Sequence, residues 1–161
     1  MTRYRLAVAA LFSTMTISTT WAQDDAALEE KVESSLTEVE KPKEKGKWKV
    51  LHELRGDLED SKRKGKKFKA LSRTKMCKRL GKLAARYDEK DEYYLKSKEK
   101  ILELISVYCG DETEARAVAL NALDKGPDRL RKRVLANLGA GEEGLSGDDV
   151  YKKILDLEKS G

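Results

Sequence analysis

Apolar residues recur at helical spacing through most of the chain, and no β-branched run alternates between turn signals as a half-buried strand would. Leu28, Val32, Leu36 and Val39 stand three or four apart on an acidic helix that starts near Asp24. So thin a stripe buries little, which predicts a helix that frays or detaches. Lys41-Pro42-Lys43-Glu44-Lys45-Gly46-Lys47 then reads as a linker. Trp48, Leu51, Leu54 and Leu58, with Val50 on the flank, mark a short second helix, and Ser61 to Lys67 reads as a second polar connection. Phe68, Leu71, Cys77, Leu80, Ala84 and Tyr87 predict a third helix ending at the charged turn Asp88-Glu89-Lys90-Asp91. From Glu92 to Cys109 the apolar face is wide, with Tyr94, Leu95, Ile101, Leu102, Ile105, Tyr108 and Cys109, and a wide face predicts burial between neighbours.

Punctuation residues divide the rest. Gly110 ends the fourth helix, and Asp111 with Glu114 resembles a capping box for a fifth that carries Ala115, Val118, Leu120, Ala122 and Leu123. Gly126 stands where a left-handed C-terminal cap belongs, and Pro127 is tolerated in the first turn of a sixth helix. That helix is expected to pack Leu130, Val134, Leu135 and Leu138 and to stop at Gly139. Glycines at 139, 141, 144 and 147 predict a flexible loop, and a last helix from about Ser146 to Asp149 onward is expected to bury Val150, Tyr151, Ile154, Leu155 and Leu157. The predicted fold is all-α: a small helical bundle or short stack of helical hairpins. It is divided into a helical domain at 68–161 and a charged, partly disordered N-terminal arm at 23–67 with one or two helices.

The stretch from Glu112 to Gly139 combines a helix at Thr113–Leu123, a Gly-Pro-Asp turn and a second helix at Leu130–Gly139, with arginines set among small and aliphatic residues and Leu-Gly at the close. In these features it resembles a HEAT-like repeat, a likeness confined to residues 112–139. The resemblance implies stacked helical hairpins and a protein-binding or scaffolding role. A generic helical bundle accounts for the same residues, and the helical pair at 68–109 shows no internal period with this one.

The start of the chain adds a compartment. Arg3 and Arg5 precede the apolar run Leu6 to Phe12, and Thr20-Trp21-Ala22 offers a small residue for cleavage, so residues 1–22 read as a secretory signal. A membrane-spanning helix needs about 20 mostly apolar residues, and Ser13, Thr14, Thr16 and Ser18 dilute this one too early. With no cysteine after the run and no twin arginine, general export to the periplasm or exterior is the expectation, and the mature chain has no transmembrane segment. The remainder is one domain's worth of chain, with a marked charge asymmetry. Residues 23–40 hold one basic and seven acidic side chains, residues 41–82 hold 17 and five, and residues 83–161 hold 14 and 17.

Chemistry-bearing residues are few. Cys77 and Cys109 are the only cysteines, and an even count in an exported chain favours a disulfide over two buried thiols. A turn centred between Glu89 and Lys90 sets Leu102 opposite Cys77, leaving Cys109 ~10 Å beyond, against ~6 Å for bridged Cα atoms. Bridging therefore requires a turn nearer Tyr93, or helices that cross or kink. The run Lys62-Arg63-Lys64-Gly65-Lys66-Lys67-Phe68-Lys69 holds six cations and no acid, so Lys62, Arg63, Lys64, Lys66, Lys67 and Lys69 are the candidate binding residues. Their expected partner is a protein, an anionic polymer or a lipid head group; the bland reading is a solvated linker, or one docked on the chain's own acidic segment at 24–40. Aromatic interleaving is too slight for a base-stacking nucleic-acid platform. His52, the sole histidine, has a structural role as its expectation, and the chain carries no Walker, G-x-S-x-G, H-E-x-x-H or dinucleotide glycine motif. No cofactor, metal site or catalytic residue is expected, and oligomeric state is open. A small exported binding or adaptor protein is the functional expectation. The alternative is a small exported hydrolase using paired carboxylates such as Glu142-Glu143 or Asp148-Asp149.

Overall fold

The computed structural model describes residues 26–41, 47–66, 68–87, 91–140 and 143–160. The signal segment at 1–22, the linker residues 42–46, Lys67, the turn residues 88–90 and Glu142 lie outside them. The described residues form seven α-helices and no strand. These are α1 (26–40), α2 (Lys47–Arg63), α3 (Ala70–Arg86), α4 (Glu92–Tyr108), α5 (Thr113–Lys125), α6 (Asp128–Leu135) and α7 (Asp148–Ser160). The fold is thus an all-helical bundle, and no described helix is long and apolar enough to cross a membrane.

At its centre is α4, packed against α2, α3, α5 and α6, and every residue from Ile101 to Gly110 is buried. Its wide apolar face is what allows four neighbours. Two acids travel inside with it, and each is neutralised. Glu99 accepts from Arg129 at 2.7 Å, and Glu103 pairs with Lys100 at 2.8 Å and with Arg55, as buried charges require. Ser106 donates to the Leu102 carbonyl at 2.7 Å, so its hydroxyl is satisfied within the helix.

The N-terminal helices lie on this core. Leu28, Val32, Leu36 and Val39 of α1, and Leu51, Leu54 and Leu58 of α2, belong to the same buried cluster as the helices after residue 68. The thin stripe of α1 has polar help. Arg79 of α3 donates to Glu33, Thr37 and Glu40, three residues on one face of α1, and Lys69 stands 3.2 Å from Glu29. The Val39 carbonyl accepts from Lys47 at 2.7 Å and from the Tyr87 hydroxyl at 3.2 Å.

Several expectations are corrected. Leu71 is 70% exposed: it lies nine residues before Leu80, and at about 100° per residue the two point to opposite sides of α3. Tyr151 (65%) and Leu155 (53%) are also outside, because α7 packs on α5 through Val150 and Ile154, leaving those two on its open flank. Leu135, at the end of α6, is exposed as well. Gly126 does cap α5, but in extended rather than left-handed backbone, with φ −72° and ψ 159°. Pro127 favours extended geometry in the residue before it, and a Cβ at Gly126 would stand 2.4 Å from the Ala122 carbonyl oxygen. The N-cap of α5 is Glu112, whose carboxylate accepts from Ala115 N at 2.8 Å, while Asp111 is turned toward α3.

Candidate functional site

Two regions collect the chemistry-bearing residues. The first is the corner at the end of α4. The sulfurs of Cys77 and Cys109 stand 2.06 Å apart, at disulfide distance, with Cα atoms 5.5 Å apart. The connection between α3 and α4 spans 87–91, so plain side-by-side pairing would set Cys77 against Ile101. Cys109 meets it instead because the start of α3 lies against the end of α4, and Cys109 itself stands just past the helix as its C-cap. Both cysteines are buried.

Around them the cations are structural. Arg73 donates to both carboxylate oxygens of Asp111 (2.7 and 2.6 Å) and to the Tyr108 carbonyl (3.1 Å), and its Nε lies 3.4 Å from Glu143. The fork of Arg73 holds the Asp111 carboxyl below its ordinary pKa, and Asp111 in turn raises that of the guanidinium. Arg116 donates to the carbonyls of Gly110 and Ser146, both at 2.7 Å, and grips Asp149 at the start of α7. The glycine loop expected to be flexible is fastened here over residues 143–145: Gly110 N donates to Glu143 O and Leu145 N to Ser106 O, each at 2.8 Å. Gly110 has to be glycine, since a Cβ there would stand 2.0 Å from the Gly144 oxygen.

The carboxylate pairs meet the same arginines. Asp149 is held by Arg116, Glu143 lies beside Arg73, and Asp148 is exposed. His52 is exposed on α2. Among the described residues no three His, Cys, Asp or Glu side chains cluster as metal ligands would.

The second region is basic. Lys62 and Arg63 close α2, Lys64 and Gly65 form the turn after it, and Lys69 precedes α3. Gly65 sits at φ 70°, a conformation glycine supplies without strain. Part of the run is neutralised: Arg63 meets Asp60 at 2.7 Å, and Lys69 meets Glu29. Lys62 and Lys64 are exposed and form no ion pair among the described residues. Lys64 and Lys66 line a shallow hollow of about 180 Å³ shared with Lys31, Asp57, Asp60 and Ser61, and the buried Ser61 hydroxyl has no hydrogen-bond partner among the described residues.

Beyond Lys69 the basic surface continues along α3. Leu71, Lys75, Lys78, Lys82 and Arg86, spaced by four, three, four and four, all lie exposed on its outward face. Lys75, Lys78 and Lys82 make no ion pair among the described residues, whereas Arg86 lies near enough to Glu40 to help Arg79 lower its pKa. The signal for this row was in the chain as cations at i, i+3, i+7 and i+11 from Lys75 to Arg86, the helical period applied to charge rather than to apolar residues. Compared with protein-family models, curated proteins and solved structures, the chain matches none of them.

Proposed function

We propose that this protein is an exported binding or adaptor protein that engages an anionic partner through its basic surface. The observation that carries this is the contrast in pairing. Arg73, Arg79, Arg116 and Arg129 are each held by carboxylates, while Lys62, Lys64, Lys75, Lys78 and Lys82 are exposed and outside every ion pair among the described residues. Exposed cations outside internal ion pairs attract an anionic partner and release counterions on contact. Export is supported by Arg3, Arg5 and the apolar run after them, and two cysteines at bonding distance suit an oxidising compartment. The HEAT-like reading of residues 112–139 fits a scaffolding role, and there α5 and α6 form a hairpin joined at Gly126 and Pro127. The hydrolase alternative has weaker support, because one carboxylate of each pair, Glu143 and Asp149, is engaged by Arg73 and Arg116.

The test replaces Lys62, Arg63, Lys64, Lys66 and Lys67 with glutamine and compares retention on an anionic matrix with a control carrying Lys152→Gln and Lys153→Gln. Loss of retention in the first variant alone is expected, and equal retention removes the reading. Intact-mass measurement of the secreted product checks export, with loss of residues 1–22 as the expected result.

A further inference from the structure

Along α3 the structure carries the partner's chemistry one step further, resting on the proposed binding role. We infer that the outward face of α3, from Leu71 through Lys75 and Lys78 to Lys82, receives an acidic helix of a partner protein laid lengthwise along it. Three observations converge on a helix.

The first is an internal precedent. On its inner flank α3 already holds an acidic helix of this chain. Glu29 of α1 meets Lys69, and Glu33, Thr37 and Glu40, at i, i+4 and i+7, all meet Arg79. The two helices run in the same direction, since the earlier acid pairs with the earlier cation. The outward face repeats the arrangement with its acids missing: Lys75, Lys78 and Lys82 are exposed and form no ion pair among the described residues.

The second is shape. From Leu71 to Lys82 the row spans 11 steps, about 16 Å at the helical rise, and stays within a narrow arc of the helix surface. Acids border it on both sides. Glu33 and Glu40 stand on the α1 side, and on the α5 side Glu114 is exposed while its backbone closes to 3.4 Å from where a Gly81 Cβ would sit. A flat anionic membrane pressed on this face would meet those carboxylates as well as the lysines. A rod one helix wide matches the lysine line and avoids them.

The third is the apolar residue at the end of the line. Leu71 is 70% exposed and directly continues the row, so it offers a partner helix one hydrophobic contact that sets its register. An extended polyanion has no use for that contact. The complement is a helix with glutamate or aspartate at i, i+4 and i+7 and an aliphatic residue one turn away, the pattern of helix-in-groove recognition with charge as the main attraction.

The experiment measures binding of a labelled alanine-rich helical peptide with glutamates at i, i+4, i+7 and i+11 and a terminal leucine, by fluorescence anisotropy at low ionic strength. A peptide of the same composition with its glutamates spread round the helix serves as comparison, together with phosphatidylglycerol vesicles. The expected result is preference for the one-faced peptide, weakened about tenfold in the triple variant Lys75→Gln, Lys78→Gln, Lys82→Gln and retained when the same lysines become arginine. Equal binding of both peptides, no peptide binding, or vesicle binding that depends on the three lysines while the peptide fails would each overturn the inference. Retention on the anionic matrix reports separately on Lys62 to Lys67, so an unaffected triple variant beside a defective basic-segment variant sinks the acidic-helix partner and leaves the binding role standing.

Discussion

The corner at the end of α4 and the outward face of α3 are both rich in cations but use them differently. At the corner Arg73 and Arg116 each hold a carboxylate and backbone carbonyls together, and the disulfide pair lies beneath them. On α3, one helix surface away, Lys75, Lys78 and Lys82 stand in water without a partner among the described residues. Arginine's planar fork suits the first task because it binds carboxylate and carbonyl at fixed angles, while lysine's flexible stem and compact charge suit a contact made with another molecule. What separates the two regions is pairing, not the presence of positive charge.

The sharpest way to break the comparison is to open the cross-link. Replacing both Cys77 and Cys109 by alanine frees a loop of sequence separation 32, and the chain-entropy model puts the loss at roughly 3 to 4 kcal/mol. Urea unfolding with and without reductant reads it. No shift on reduction means the cysteines are not bridged in the purified protein. Next in size, Gly110→Ala sets a methyl against the Gly144 oxygen and forces the loop away, a loss of about 1 to 3 kcal/mol by the usual scale of overpacking. Wild-type stability in that variant contradicts the close approach at the corner.

A smaller effect separates the corner by pH. Asp111 has its pKa lowered chiefly by the hydrogen bonds from Arg73, so its contribution is present above the ordinary carboxylate value, about 3.9, and is lost as pH falls through the lowered one. Asp111→Asn is therefore expected to be less stable than the parent near neutrality, with the gap closing in strong acid. A gap of constant size across an acid titration argues against the Arg73 bond as its source. Smallest of all, glutamine at Lys75, Lys78 and Lys82 is expected to change unfolding free energy by no more than about 0.5 kcal/mol per site, as exposed residues outside any network do. A larger loss would place those lysines in the structural class and erase the contrast.

Much of the fold was legible because helical burial leaves a periodic trace. The bounds of α4 followed from its wide face between Asp91 and Gly110, and the four buried residues of α1 were readable from their spacing. Leu71, Tyr151 and Leu155 lie outside because the angle round the helix, not apolar character alone, decides which side chains turn inward. Gly126 departs from a left-handed cap because its neighbour Pro127, not glycine's freedom, sets the backbone there. The basic segment was visible as a run of lysines, yet its continuation on α3 was not, since a surface row interrupted by two or three residues has no run to notice. Partners far apart along the chain were beyond reach of any local pattern: Arg73 meets Asp111 across 38 residues, and Arg116 meets Asp149 across 33. Only the fold brings them together.

At bonding distance, Cys77 and Cys109 enclose the turn between α3 and α4, and a bridge between them has a further effect there. A protease that nicks the backbone at that turn produces two polypeptides that still migrate as one particle. Tyr87 and Tyr94, stacked 5.3 Å apart on either side of the turn, add a contact between the two helices there. With the bridge formed, only a thiol reagent and a denaturant together part the halves, since α3 and α2 also pack on α4.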